Sequence, residues 1–363
     1  MRLGVEAAVV DGELVAGDIE TVDDEITAVG LTPSGKGIAL PGFIDIHTHG
    51  YDAVDFAHAS LDDLGRASRG LTATGVTGFQ PTLLTLEGDD MLDAAERHSS
   101  ARYPGARFLG THLEGPFLSP AHPGAHDPSL LQLPDVETMR RLLEAGSIGQ
   151  VTIAPELPGA SEVIDLLTAR NVVVAVGHSD ASAREAHEAF DRGARVLTHV
   201  FNASRPFRHR DPGVVGVALT RGDVYVTAVV DNVHLSREAT LLAMQVGPAR
   251  FVVVTDAMEA AGQGDGVYTL GNRQVTVKDG EARLADGTIA SSVLTMDGAL
   301  RNLIDLGWSV SEAAAAVSTS AADALSRSDL GRISVGGRAD IVVLDDAFEV
   351  KKTLIEGSEV FAA

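Results

Sequence analysis

The sequence predicts an α/β protein: a (β/α)8 TIM-type barrel joined to a small β-sandwich that the two ends of the chain form together. Three observations carry this. Eight short apolar, largely β-branched runs recur between residues 43 and 255, segments of helical period separate most of them, and both termini have a turn-rich β texture that the middle lacks. The expected division is 1–42 and 328–363 for the sandwich and 43–327 for the barrel.

At the N-terminus, Ala7–Val10 and Gly17–Val22 read as strands about the turn Asp11-Gly12, followed by Glu25–Val29 and the turn residues Gly35-Lys36-Gly37. Near the C-terminus, Gly331-Arg-Ile, Gly336-Gly337, the apolar run Ala339–Leu344 and Lys352–Ile355 before Glu356-Gly357 have the same character. The four lysines (Lys36, Lys278, Lys351, Lys352) all avoid the stretch from 37 to 277, which supports the division. Barrel strands are expected at Phe43–Ile46, Val76–Gln80, Arg107–Leu113, Val151–Ala154, Val172–Val176, Arg195–Thr198, Val224–Val230 and Phe251–Thr255. Helices are expected at Leu61–Ala73, Asp135–Ala145, Ser161–Arg170, Ala183–Arg192, Arg237–Val246 and Asp297–Leu306. The connection after His199 is long and rich in Arg and Pro, and Gly262–Gly287 reads as a hairpin inserted after the eighth strand.

Composition bounds the function. With 363 residues, 45% of them hydrophobic, the chain can bury a large core. A formal charge of -23 without a Lys/Arg cluster argues against nucleic acid, whose phosphates need a basic face. A single small anion could still be held by one or two Arg or His in a pocket. No apolar stretch is long enough for a membrane span and the N-terminus has too few apolar residues for a signal sequence, so a cytoplasmic location is the expectation. The chain has no cysteine, so any metal must be held by imidazole and carboxylate.

Five such side chains follow β-branched runs in order: His47 and His49, then Glu114, His178 and His199. Residues two apart on an extended strand point to one side, so His47 and His49 can reach one ion; a solvated loop pair is the alternative. Gly115 and Pro116 stop the strand at Glu114 and leave its carboxylate at the barrel mouth. His178 and His199 each end an apolar run, where a core histidine bonded to a carbonyl is the alternative for either one alone. Asp256 ends the eighth run, where a carboxylate facing the axis can take a proton from water and return it to a leaving group. Helix capping is its alternative role.

These motifs together resemble the amidohydrolase superfamily and, within it, the N-acetylglucosamine-6-phosphate deacetylases. The resemblance runs from about residue 41 to the end and rests on His112-Leu-Glu-Gly-Pro-Phe117, Gly124-Ala-His126, Val176-Gly-His-Ser179, His199-Val-Phe-Asn-Ala203, Arg210-Asp-Pro-Gly213, His234, Thr255-Asp-Ala-Met258 and Leu294-Thr-Met296. It implies that Glu114, His178 and His199 hold the principal divalent metal and that Asp256 is the general base and acid. His47 and His49 place the chain in a two-metal branch, with Glu114 bridging and one or two ions per subunit. Zinc is the first expectation, with iron and manganese equally suited to these donors. The resemblance further implies that His126, with Ala125 beside it, faces the acetamide carbonyl and that Asn202 and Ala203 bind the sugar. Arg210 and His234 would contact the phosphate, one of them across a homodimer interface in some members, while Ile289, Ala290 and Ser291 close over the sugar.

The sequence departs from the family pattern at Ser204, where the family has Met, at Asn232 and Ser291, where it has Gly, and at Ser320-Ala-Ala322, where it has Asn-Pro-Ala. The implied reaction is hydrolysis of the N-acetyl group of N-acetyl-D-glucosamine 6-phosphate, the partner being a phosphorylated amino sugar. The alternatives are deacylation of another N-acyl amino sugar and a cyclic amidase. The latter needs a carboxylated lysine ending strand four, and Val151-Thr-Ile-Ala-Pro-Glu156 has none. A non-catalytic metal-binding barrel would have no use for Asp256 beside the ion.

Overall fold

The computed structural model describes residues 1–363. Its centre is a barrel of eight strands: β1 (Phe43–Thr48), β2 (Val76–Leu83), β3 (Thr111–Glu114), β4 (Ile148–Ile153), β5 (Val173–Val176), β6 (Val196–Leu197), β7 (Tyr225–Ala228) and β8 (Phe251–Val253). Neighbours from β1 to β8 pair in parallel. Every residue of β2, β3 and β5 is buried, as expected of strands covered on both faces. The ring closes beyond the ends of β8: Asp256 N–H donates to the His47 carbonyl at 2.8 Å and His49 N–H to that of Ala257 at 2.7 Å. The Asp45 carboxylate fills the seam below, accepting from Thr255 Oγ1 at 2.6 Å and Thr255 N–H at 3.3 Å, and burial raises its carboxyl to about 7.

Inside the barrel, Ile44 and Ile46 pack with Val173, Ala175, Val252 and Val254, over a floor of Ala321, Ala322 and Ala324. The late motif Ser320-Ala-Ala322 therefore belongs to that floor, far along the barrel from the strand tips. The expected helices form, two of them with reciprocal serine caps at Ser60 and Ser182. Four more, Asp90–Ser100, Gly213–Thr220, Val310–Ala314 and Ser320–Ala324, were outside the expectation. The second is apolar nearly all round and buried, so it has no polar face to give a helical period.

Two expected elements change form. The run Arg107–Leu113 divides into Arg107–Phe108 and β3 at Gly110, whose φ is +88° and where a Cβ would lie 2.7 Å from the backbone nitrogen of Gly149. The expected hairpin after β8 is a three-stranded antiparallel meander, Gly266–Leu270, Arg273–Lys278 and Glu281–Arg283. The termini form a six-stranded sheet that faces the pair Asp18–Val22 and Glu25–Leu31 across a core including Ile19, Ile26, Ile341 and Leu354. Its linking strand is Ile38–Pro41, parallel to Ala7–Val10 and antiparallel to Ile341–Leu344. Arg107 ties this unit to the barrel through Asp340 at 2.8 Å.

Candidate metal centre and substrate pocket

Strand β1 loses its regular register against β2 between Asp45 and Thr48. Ile44 and Ile46 face the barrel interior, and beyond that irregularity the side chains that reach the mouth are His47 and His49. Their Nε2 atoms lie 3.1 Å apart. From β3, Glu114 brings Oε1 to within 3.0 Å of Nε2 of both His178 and His199, and Oε2 to 3.4 Å from His49 Nε2. The His178 and His199 Nε2 atoms are 3.1 Å apart. Two groups of three therefore share one carboxylate, whose Oε1 also lies 3.5 Å from His47 Nε2 while Oε2 faces His49.

These residues fit a divalent cation. Four ligands at about 2.0–2.1 Å in tetrahedral array stand about 3.3 Å from one another, close to the separations just given. The orientation of His178 agrees: its Nδ1 lies 3.0 Å from the His122 carbonyl and donates to it, which turns Nε2 toward a carboxylate oxygen and, in the neutral ring, leaves a lone pair there. Lone pairs at that distance repel unless positive charge lies between them. Gly124 permits the close packing of this loop, since a Cβ there would stand 2.9 Å from His178 Cε1.

Asp256 follows β8 with Oδ1 3.2 Å from His49 Nε2 and 3.5 Å from His47 Nε2. Burial opposes charge on it, but His47 and His49 hold its carboxyl below the usual range, so it is ionised. Burial likewise opposes charge on His49, yet with a proton rather than a cation at the centre, hydrogen bonds to Asp256 and Glu114 raise its imidazole to about 10. His126 is neutral, lowered to about 4 by burial. Its Nδ1 accepts from Thr85 N–H at 3.3 Å, so Nε2 carries the proton and points toward Glu114 Oε2, also at 3.3 Å. His126 thus presents an N–H donor at the centre.

Beneath these groups His112 is fully buried, packed edge-on against His47 with ring centroids 4.7 Å apart and bonded to Thr82 and Thr152 at 3.1 and 2.8 Å. His112 opens the motif His112–Phe117, which by itself implies no role for it.

One pocket collects nearly all the expected residues: His49, Glu114, His178, His199 and Asp256 with Ala125, His126, Asn202, Ala203, His234, Ile289, Ala290 and Ser291. His234 is held by Asp231, which accepts from its Nδ1 at 2.7 Å, and its Nε2 stands 3.9 Å from Asp256 Oδ2. Arg210 is not brought in; it is exposed on the loop before Gly213–Thr220 and does not line the pocket of its own chain. Leu84, Leu270 and Thr288 also line it and were not expected. Leu270 belongs to the inserted meander, and nothing in its local sequence distinguishes it from any other strand residue.

A barrel whose strand tips gather four imidazoles and two carboxylates around a shared centre defines a metal-dependent hydrolase. The amidohydrolase family model matches residues 38–360. The N-acetylglucosamine-6-phosphate deacetylase of Lysinibacillus sphaericus is 35% identical over 352 residues, 94% of this chain and 90% of that protein. The N-acetylgalactosamine-6-phosphate deacetylase of Escherichia coli O157:H7 is 34% identical over 336 residues, 91% of this chain and 89% of that one. Among solved structures, a mutant N-acetyl-D-glucosamine-6-phosphate deacetylase of Mycobacterium smegmatis, in complex with N-acetyl-D-glucosamine-6-phosphate, superposes with a TM-score of 0.95 at 35% identity, covering 100% of this chain and 99% of that one. The chain belongs to the amidohydrolase family and, within it, to the N-acetylglucosamine-6-phosphate deacetylase branch.

Proposed function

We propose that this chain hydrolyses the N-acetyl group of N-acetyl-D-glucosamine 6-phosphate to acetate and D-glucosamine 6-phosphate. The observation that carries the reading is the single carboxylate of Glu114, shared between the pairs His47/His49 and His178/His199 with Asp256 alongside. We assign these five side chains to one or two divalent cations, zinc, iron or manganese. A cation there would supply Lewis acidity, acidifying water and polarising the acyl carbonyl. Asp256 takes the proton of the attacking water as its oxygen adds to the acetamide carbon, and His126 Nε2–H donates to the carbonyl oxygen as negative charge grows on it. Asp256 then gives that proton to the nitrogen as the C–N bond breaks, releasing amine and acetate. Ala125, Asn202, Ala203, Ile289, Ala290 and Ser291 surround the sugar, and His234 and Arg210 bind the phosphate. Since Arg210 is exposed on its own chain, its contact requires a second copy, so a homodimer is part of the proposal, as is a cytoplasmic location.

A panel of N-acetylated gluco- and galacto-hexosamines, with and without 6-phosphate, assayed for acetate release alongside elemental analysis, tests this. We expect turnover confined to phosphorylated sugars and fastest with the gluco epimer. Similarity to the galacto-specific relative of Escherichia coli O157:H7 supports a second reading, in which the galacto epimer is preferred. Metal-replete protein that releases no acetate from any member would overturn both.

A further inference from the structure

We infer that Leu270 sets the acyl-chain specificity of this pocket, and that Glu259, Asp55 and His58 are positioning residues that hold it there; the inference rests on the deacylase reading above. Leu270 ends the first strand of the inserted meander, is buried, and lines the same pocket as Glu114 and Asp256. It packs in one apolar cluster with Leu84 and Ala290, which also line the pocket. Leu84 directly precedes Thr85, whose N–H and hydroxyl meet His126 Nδ1 at 3.3 and 3.2 Å. A carbonyl whose oxygen points to His126 Nε2 therefore has this apolar wall beside it, and the carbon chain attached to that carbonyl is the apolar part of the substrate nearest to it.

The turn carrying Leu270 is fixed on both sides. The Thr269 N–H and hydroxyl donate to Glu259 Oε1 at 2.6 and 2.8 Å. The Gly271 N–H donates to Asp55 Oδ2 at 2.9 Å, while its carbonyl lies 3.2 Å from His58 Nε2. Asp55 is itself held by the Ala57 N–H at 3.0 Å, six residues after His49. Side chains anchored beside β1 and β8 thus hold the peptides flanking Leu270, so the wall keeps a set distance from the centre. A free meander would adapt to longer acyl groups; a pinned one excludes them.

The test is a series of N-formyl, N-acetyl, N-propionyl and N-butyryl glucosamine 6-phosphates. One methylene in an apolar pocket is worth roughly 10–200-fold in kcat/KM. In Leu270→Ala the butyryl-to-acetyl ratio should rise by at least about tenfold over wild type, and in Leu270→Phe the acetyl-to-formyl ratio should fall by a similar factor. Shifts of opposite sign cannot arise from loss of folded protein. Asp55→Asn should raise the butyryl-to-acetyl ratio through KM more than kcat, which a purely structural role would not do. Active variants with wild-type ratios would overturn the inference while the deacylase reading stands. Wild-type protein inert toward the whole series would end the deacylase reading, and this inference with it.

Discussion

Replacing Asp256 by asparagine keeps the shape of the side chain and removes its capacity to take a proton. Asp256 is buried, with Oδ1 3.2 Å from His49 and Oδ2 3.9 Å from His234, so no other carboxylate but Glu114 lies at the centre, and Glu114 is committed to the histidine pairs. General acid–base catalysis contributes about 10²–10⁴-fold. At 1.36 kcal/mol per tenfold, its loss raises the barrier by about 2.7–5.4 kcal/mol. Asp256→Asn should therefore lose kcat by that factor with little change in KM, because the lost interaction belongs to the transition state. The assay is steady-state acetate release, with metal content measured on the same preparation. A variant retaining more than about a tenth of the wild-type kcat at equal metal content would refute the assignment, since a proton acceptor worth less than tenfold is below the general-base range.

Chelation should lower thermal stability as well as activity, since a ligand at 100 times its Kd adds about 2.7 kcal/mol to the folded state; calorimetry with and without chelator checks this, and an unchanged Tm would remove the metal assignment. His98, outside the pocket, is lowered to about 4 by burial while its ring nitrogens meet Thr111 Oγ1 and the Phe56 carbonyl. With its folded pKa below its ordinary value of about 6.5, the unfolded chain binds the extra proton between these limits, so stability is complete above pH ~6.5 and falls by up to about 3 kcal/mol toward pH ~4. His98→Gln should flatten that slope in urea unfolding at pH 7 and pH 5, and parallel slopes would reject the idea. Ser291 stands at φ +120°, and its hydroxyl donates to the Asp256 carbonyl. Alanine there keeps the strain and loses the bond, so Ser291→Ala should be less stable than Ser291→Gly by about 1–3 kcal/mol, read by denaturation; equal stability would show that the backbone is unstrained.

Where a residue's role depends on a strand ending near it, the sequence was informative. The β-branched runs before His47, Glu114, His178, His199 and Asp256 located strand ends, and the structure brings those five side chains to one centre. The linking strand Ile38–Pro41 was illegible because its four residues carry no alternation and its partners are about 300 residues apart in the chain, across the whole barrel. Helix Gly213–Thr220 lacked a polar face for the same kind of reason: burial on nearly every side erases the period that marks a helix. Leu270 is held at the pocket partly by Asp55 and His58, which lie more than 200 residues earlier in the chain, and no local pattern encodes such a contact. Arg210 was named from a motif alone, and the single chain leaves it exposed and outside the pocket.

The departures at Asn232 and Ser291 acquire meaning from the backbone rather than from the side chains. Asn232 has φ +63° and Ser291 φ +120°, so glycine in the family pattern matches a left-handed or extended-positive conformation that this chain enters with a side chain attached. The same conformation occurs at three residues of the centre itself: His178 at +48°, His199 at +26° and Asp256 at +49°. In a regular strand successive side chains point alternately into the barrel and out to the helices, so none points along the axis toward the mouth. Turning the chain two or three residues beyond the strand redirects that side chain to the mouth, and for a non-glycine residue each such turn costs about 1–3 kcal/mol. The cost is acceptable only because the ring of strands below is closed and packed, with Asp45 and Thr255 holding the seam beneath Asp256. Strain at the tips and rigidity of the barrel are thus two parts of one device: the tips converge because the strands beneath them cannot relax.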